Sequence, residues 1–200
     1  MAVPRIFRTM TRFTARAVVA VVTSVLLASC TGGTTTSTPP QAASEADVVA
    51  WLDQVCGAVG GTTKAMSGEP SIDLSDPAKL KAGLSEWLGG QVSAADRSVN
   101  DLKALENGPH PRSKELAGAA ENDVTQFKAL LTDTRSKIDS SGDATAVVTA
   151  FSELMTKAAA FENTGADMRK RLGDSGMGEA AEKAAKCREL DASASSRPTS

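Results

Sequence analysis

The 200-residue sequence holds only three cysteines and one histidine, the residues most often used as thiol nucleophile and as general base at neutral pH. Ser175, in the stretch Gly173-Asp174-Ser175-Gly176, is flanked by an acid, but nucleophilic serine catalysis also needs a histidine brought to the serine. The only histidine, His110, stands between two prolines in a predicted turn. We therefore interpret residues 173–176 as a turn between helices, where Gly, Asp and Ser are common, and His110 as a loop residue.

Longer motifs for catalysis or cofactor binding are missing from the sequence. It contains no HExxH, GxxxxGK[ST], CxxC, EF-hand loop or ExxH pair, and no GxGxxG following a predicted strand. These patterns carry zinc, phosphate, redox, calcium, di-iron and dinucleotide chemistry respectively. We predict that the protein is not an enzyme and that it uses no cofactor and no metal.

The first 28 residues have the features of a secretory signal. Arg5, Arg8, Arg12 and Arg16 precede an almost wholly apolar run at 17–28, and the leader contains no acidic residue. Twelve residues would span about 18 Å as a helix, against the about 30 Å of a bilayer core. This favours a signal peptide over a permanent membrane span.

The apolar run ends in Leu27-Ala28-Ser29-Cys30, which resembles the lipobox of bacterial lipoproteins. The resemblance covers residues 1–30 and implies that Cys30 receives a diacylglyceryl group, that residues 1–29 are removed, and that the new amino group is a further acylation site. Two or more acyl chains anchor a protein stably. The mature protein is thus expected to be lipid-anchored on the extracytoplasmic face of the cell membrane; the alternative is a plain secreted protein.

Removal of the leader makes the chain more acidic. Eighteen Lys and Arg remain against 24 Asp and Glu, a net charge of about −6. Such a surface has no electrostatic basis for binding nucleic acid or anionic lipid headgroups. We predict no nucleic-acid partner, and we assign membrane attachment to the lipid.

Once Cys30 is acylated, Cys56 and Cys187 remain as a pair in an oxidising compartment, where a disulfide is the expected state. Such a bond closes a loop of about 130 residues, for which the chain-entropy model gives a stabilisation of roughly 5 kcal/mol. A metal site is the competing interpretation. It is the weaker one, because no further Cys or His lies within four residues of either thiol.

Composition divides the mature chain into three parts. Residues 30–44 are Thr- and Pro-rich without a large apolar side chain, and cannot bury enough surface to offset the entropy of ordering; we predict a flexible stalk. Residues 45–191 form one predicted domain, and the Ser-rich residues 192–200 a disordered tail.

Apolar residues in the domain recur at helical spacing throughout, so we predict an all-α antiparallel bundle of about four main helices and a short C-terminal helix. Helix one starts at a Ser44–Asp47 capping box and weakens or ends at Gly60-Gly61. Helix two runs from the Asp76 cap to Asn107-Gly108-Pro109, and helix three from near Pro111 to Ser140-Ser141-Gly142.

The fourth predicted helix starts at the Asp143 cap and carries an unbroken apolar seam from Val147 to Leu172. The fifth is short, about 178–190, and carries Cys187 on its apolar stripe. A Cys56–Cys187 bond would join the first helix to the last. Small seam residues allow close helix packing, which leaves little room for a large internal cavity.

Trp51 and Trp87 are the candidate partner-contact residues, since large aromatic side chains anchor protein interfaces; burial in the core is the alternative for both. The lipobox, stalk and Ala-rich domain together resemble the small lipoproteins of actinobacterial envelopes. The sequence thus favours a non-catalytic interaction or scaffold module, with a possible envelope protein as partner. The alternative is a carrier of a lipid or other apolar ligand, which requires a dry cavity lined by Leu, Val and Phe.

Overall fold

The computed structural model describes residues 43–195 except 69, 71, 74 and 75, with no side-chain placement for residues 160, 162–166, 194 and 195. All of these residues belong to one compact unit, Gln41–Ser200. The predicted signal peptide, the lipobox with Cys30 and the stalk up to residue 42 lie outside the described residues.

The described part of the chain is all-α, as predicted, with seven helices and no strand. The helices are α1 (Glu45–Met66), α2 (Pro77–Ala104), α3 (Ser113–Ser140), α4 (Ala144–Ala160), α5 (Glu162–Asp174), α6 (Gly178–Lys183) and α7 (Ala185–Ser195).

Three helices begin at the caps predicted from the sequence. Ser44 and Asp47 form a reciprocal capping box at the start of α1. Asp76 accepts a hydrogen bond from the Ala78 amide ahead of α2, and Asp143 accepts one from the Ala146 amide ahead of α4. These side chains satisfy backbone donors that the first helical turn leaves without a partner.

Neighbouring long helices run antiparallel. Trp51 of α1 bonds to Leu105 and Thr62 to Ser98, so that later residues of α1 meet earlier residues of α2. The α2–α3 pair runs the same way, with Lys103 beside Glu121 and Lys81 beside Ser141. The last helix differs: α7 runs parallel to α1, because Asp53 meets Lys186 and Gly60 packs on Leu190.

The core consists of two apolar clusters. One joins the first half of α1, the ends of α2 and α3 that lie beside it, and α5 to α7; Leu52, Leu102 and Leu116 are at its centre. The other joins the first half of α2, the second half of α3 and α4; Leu88, Leu131 and Leu154 are at its centre. These leucines are at most 1% exposed, so the centres of both clusters are closed to solvent.

The expected weakening or end of helix one at Gly60-Gly61 is not observed, because α1 continues to Met66. A Cβ at residue 60 would lie 3.5 Å from Leu190 Cδ2, and one at residue 61 would lie 3.6 Å from Ser98 Oγ. The two glycines thus lie where α7 and α2 approach α1 closely. Packing at these contacts outweighs the about 1 kcal/mol of helix propensity that each glycine costs.

The single long fourth helix predicted from the seam is divided at Phe161 into α4 and α5. No glycine or proline marks this break. It falls where the chain passes from one apolar cluster to the other: Leu154 belongs to the second and Leu172 to the first. Phe161 itself packs edge-on against Phe127, with ring centroids 5.4 Å apart.

The C-terminal region also differs from the prediction. The short fifth helix is broken at Ala184, whose backbone is extended, into α6 and α7. This turn brings Cys187 to α1. Helix α7 continues to Ser195, four residues into the segment predicted as a tail, where the Ser193 hydroxyl donates to the Leu190 carbonyl.

Candidate interaction surface

The predicted Cys56–Cys187 disulfide is present and joins α1 to α7, with Cα atoms 5.0 Å apart. Cys187 is buried in the first apolar cluster, and Cys56 packs against the same cluster. The thiols of this pair are therefore consumed in a structural crosslink between the first and last helices.

Trp51 is a core residue in this structure, with 4% of its surface exposed. Its indole N–H donates to the Leu105 carbonyl oxygen at 2.9 Å, so that both the ring and its polar atom are satisfied within the bundle. A partner has no access to this side chain. Trp51 is therefore a buried core residue, which was the alternative interpretation, and the prediction that it contacts a partner is wrong.

Trp87 is only partly buried. Its indole N–H donates to the Gly68 carbonyl at 2.8 Å, and its ring meets Phe151 of α4 edge-to-face, with centroids 6.0 Å apart and planes at 69°. Trp87 thus contacts both the segment after α1 and α4 and stays partly accessible; its role in partner contact remains a prediction.

The turn predicted at residues 173–176 is present at Ser175 and Gly176, while Gly173 and Asp174 are the last residues of α5. Ser175 follows α5 and donates its hydroxyl to the Leu172 carbonyl, and Gly176 takes the left-handed conformation at φ 78°. The Nδ1 atom of His110 accepts a hydrogen bond from the Arg112 amide. The serine hydroxyl and the imidazole are each engaged in a local turn and not with each other.

One surface of the bundle is uncharged and partly apolar. Helix α4 packs on α3, α2 and α5, and its charged residues are Glu153 and Lys157. At 100° per residue, seven exposed uncharged side chains share an arc of about 120°. We call this set the α4 outer face; it comprises Thr145, Val148, Thr149, Ser152, Met155, Thr156 and Ala159.

The α4 outer face includes two of the few large apolar side chains that stay exposed. Val148 is 55% exposed and Met155 is 52% exposed, and both lie on the same side of the helix because they are seven residues apart. Phe151 lies between them on the adjacent helix surface and connects them to Trp87. Contiguous apolar surface of this kind commonly marks a contact site.

The threonines make the α4 outer face less polar than its composition indicates. Thr149 donates its hydroxyl to the Thr145 carbonyl, and Thr156 donates to the Ser152 carbonyl, at 2.9 and 3.0 Å. A hydroxyl bonded to the backbone four residues earlier has its donor satisfied without water. These side chains can therefore be covered at low desolvation cost.

One of the two charged residues of α4, Glu153, lies toward α3. Glu153 pairs with Lys137 at 3.5 Å. A hydrogen bond from Lys137 to Asp133 is the main cause that raises the pKa of this lysine, with Glu153 contributing. Both groups are surface groups, so the pairs add little stability. Lys137 and Glu153 line one groove with Thr145 and Thr149, at the α3 edge of the α4 outer face.

Perturbed carboxyl groups occur elsewhere and have structural causes. The Ser44 hydroxyl lowers the pKa of Asp47 in its capping box. Burial raises the pKa of Asp123, Arg171 opposes that rise, and Asp167 adds to it. The described residues contain no group of three or more His, Cys, Asp or Glu side chains placed to hold a metal ion.

Open grooves lie on the surface of the part of the bundle that the structure describes. One, of about 590 Å³, lies between α3 and the start of α4 and is lined by Lys137, Glu153, Asp143 and several small residues. Another, of about 530 Å³, lies between α1 and the α6–α7 corner, with Val49 as its largest apolar side chain. Neither has the Leu, Val and Phe lining of a dry ligand cavity.

No helix among the described residues has the length and hydropathy of a membrane span. No protein-family model matches the chain, and no curated protein or solved structure is significantly similar to it.

The α4 outer face was not singled out from the sequence, although signals for it exist. Helix α4 carries only two charges in 17 residues, and Val148 and Met155 fall outside the seam that starts at Val147. A second, weaker apolar stripe on a helix whose first stripe already fills a core is the pattern that indicates an exposed contact surface.

Proposed function

We propose that this protein is a membrane-anchored bacterial cell-envelope lipoprotein whose helical domain is a non-catalytic interaction or scaffold module. The observation that supports the interaction role is the α4 outer face, where Val148 and Met155 remain exposed on a helix whose opposite side packs into the second apolar cluster. A filled core beside an exposed apolar patch is the arrangement of a surface that recruits a partner.

The proposed anchor is the lipid on Cys30, within the Leu27-Ala28-Ser29-Cys30 box. Its test is the fractionation of cells that produce Cys30→Ala, with Thr31→Ala as the matched control. We expect the control to sediment with membranes and the Cys30→Ala chain to leave them. Membrane association of Cys30→Ala, or an unmodified thiol at residue 30 by mass spectrometry, contradicts the anchor.

The proposed interaction is tested by a photoreactive residue in place of Val148 in the full chain, in intact cells. The control carries the same residue at Asp101, an exposed position of α2. We expect protein adducts from position 148 at several times the yield from position 101. Equal yields at both positions, or none at 148, contradict a scaffold role for α4.

A carrier of an apolar ligand is the alternative function. It requires burial of most of the ligand surface in an apolar site. The grooves beside α3–α4 and α1–α7 are open and have charged residues at their edges, which favours the interaction role over transport.

A further inference from the structure

The central stripe of the α4 outer face has the spacing of a helix-pairing seam. Val148, Ser152, Met155 and Ala159 are separated by four, three and four residues, which is the alternation found where two helices pack along their length. The stripe alternates a larger residue and a smaller one, in the order Val, Ser, Met, Ala.

This order is complementary to itself when the second helix runs the opposite way. With a two-fold axis between residues 153 and 154, Val148 lies opposite the second copy's Ala159, and Ser152 lies opposite the second copy's Met155. Each layer then holds one large and one small side chain, which is how packed helices fill space without voids. A parallel pair would place Met155 against Met155 and Ala159 against Ala159, with crowding in one layer and a gap in the other.

Charge also favours a second copy over a charged partner. In the antiparallel pair the flanking positions bring Thr149 near the second copy's Thr156, and Phe151 near the second copy's Ala158. Glu153 stays at the α3 side, beside Lys137, so no like charges meet across the axis. A partner with a charged surface would find no complementary group on this arc.

We infer that the α4 outer face is the two-fold interface of an antiparallel α4–α4 homodimer. A 17-residue helix is about 25 Å long and about 10 Å wide. The area buried by one such pair is therefore smaller than the about 1,200 Å² that the smallest stable interfaces bury. The pair is therefore weak at dilute concentration and forms where molecules are held at the same membrane, since confinement raises effective concentration. The formation of the dimer at the membrane rests on the proposed lipid anchor.

The test uses the full chain in intact cells with the photoreactive residue at position 148. We expect an adduct of twice the protomer mass. Met155→Glu should lower its yield about tenfold, because a buried unpaired carboxylate opposite Ser152 costs at least that factor in association. Met155 is half exposed, so this change leaves the fold intact, which circular dichroism verifies.

Adding Ser152→Lys to Met155→Glu tests the register. Each lysine then faces the second copy's glutamate, and we expect the dimer adduct to return to near the original yield. The matched control Asp101→Lys, which changes charge at an exposed position of α2, should leave the yield unchanged.

Three outcomes separate the proposals. An adduct at 148 with a different protein overturns the homodimer and leaves the scaffold role standing. A dimer adduct that survives Met155→Glu, or that Ser152→Lys fails to restore, overturns the antiparallel α4 pairing. The absence of any adduct at 148 overturns both proposals.

Discussion

Gly108 packs directly against the indole ring of Trp51. A Cβ atom at residue 108 would lie 2.3 Å from the indole nitrogen and 2.6 Å from Ser113 Oγ. The same indole donates to the Leu105 carbonyl, and Ser113 Oγ accepts the His110 amide. One buried tryptophan of α1 thus fixes the connection between α2 and α3, and the absence of a side chain at 108 makes this possible.

Gly108→Ala is expected to destabilise the protein by about 1–3 kcal/mol, because overpacking must displace a buried ring or the turn. Thermal or denaturant unfolding measures the effect. Gly142→Ala is the matched control, since it is also a connecting glycine and nothing lies within 4 Å of its Cβ position. Equal stability of the two variants would contradict the close approach of Trp51.

Loss of the Cys56–Cys187 bond is expected to lower the free energy of unfolding by about 2–5 kcal/mol, since the bond closes a long loop in the unfolded chain. Unfolding of the wild type with and without reductant, compared with the Cys56→Ala/Cys187→Ala variant, measures it. The double variant should not respond to reductant. A wild type whose midpoint is unchanged by complete reduction would argue against a stabilising crosslink.

Thr62 and Ser98 form a buried hydroxyl relay between α1 and α2. The Thr62 hydroxyl donates to Ser98 Oγ at 2.8 Å, and Ser98 donates to the Ala58 carbonyl at 2.6 Å. Ser98→Ala leaves the Thr62 hydroxyl without its acceptor, while the Ala58 carbonyl keeps its bond within α1; the change should cost about 1–3 kcal/mol. Adding Thr62→Val removes one unpaired group, so the double variant should be more stable than the sum of the single effects predicts; strict additivity in urea unfolding would exclude the relay.

Asp123→Asn is expected to stabilise the protein at neutral pH. Burial raises the pKa of Asp123 in the folded state, so the folded state binds the proton more tightly than the unfolded state does. Stability is therefore lost as pH rises from the unfolded pKa, about 3.9, through the raised folded value. The gain from Asp123→Asn should be present at pH 7 and vanish near pH 3, as measured by thermal unfolding across pH.

Asp47→Asn is the control of opposite sign. The Ser44 hydroxyl lowers the pKa of Asp47 in the folded state, so the ionised carboxylate stabilises above its unfolded pKa and that stability is lost as pH falls through the folded value. The variant should be less stable than the wild type at pH 7 and equal to it in strong acid. If both aspartate variants shifted stability in the same direction at pH 7, the assignment of opposite causes would be wrong.

Local chemistry predicted the helix boundaries that capping and turn residues set, including the end of α3 at Ser140, but not those that distant packing sets. Ser44, Asp76 and Asp143 were recognised as caps because each acts within its own first turn. The course of α1 past Gly60 depends on Leu190, 130 residues later, and the break at Phe161 depends on two separate apolar clusters. The residue types around Gly60 and Phe161 give no local signal of these distant contacts.

The disulfide was predictable because two thiols remained once Cys30 was set aside. The α4 outer face was not predictable. The seam that begins at Val147 already explains why this stretch forms a helix with one buried side, and only the folded structure shows that Val148 and Met155 stay exposed. Trp51 illustrates the reverse case: an aromatic residue suited to a partner is used within the core.

The position of the covalent bridge also determines how the domain bears mechanical load. A pull on the chain ahead of Ser44 is carried along α1 only as far as Cys56, where the bridge passes it to α7. The residues between the bridged cysteines, which are 131 positions apart, are therefore not extended by this load. If the chain were pulled between its two ends, the domain would lengthen by little more than the roughly three helical turns of α1 ahead of Cys56 and the part of α7 after Cys187, while the two clusters and α4 kept their shape.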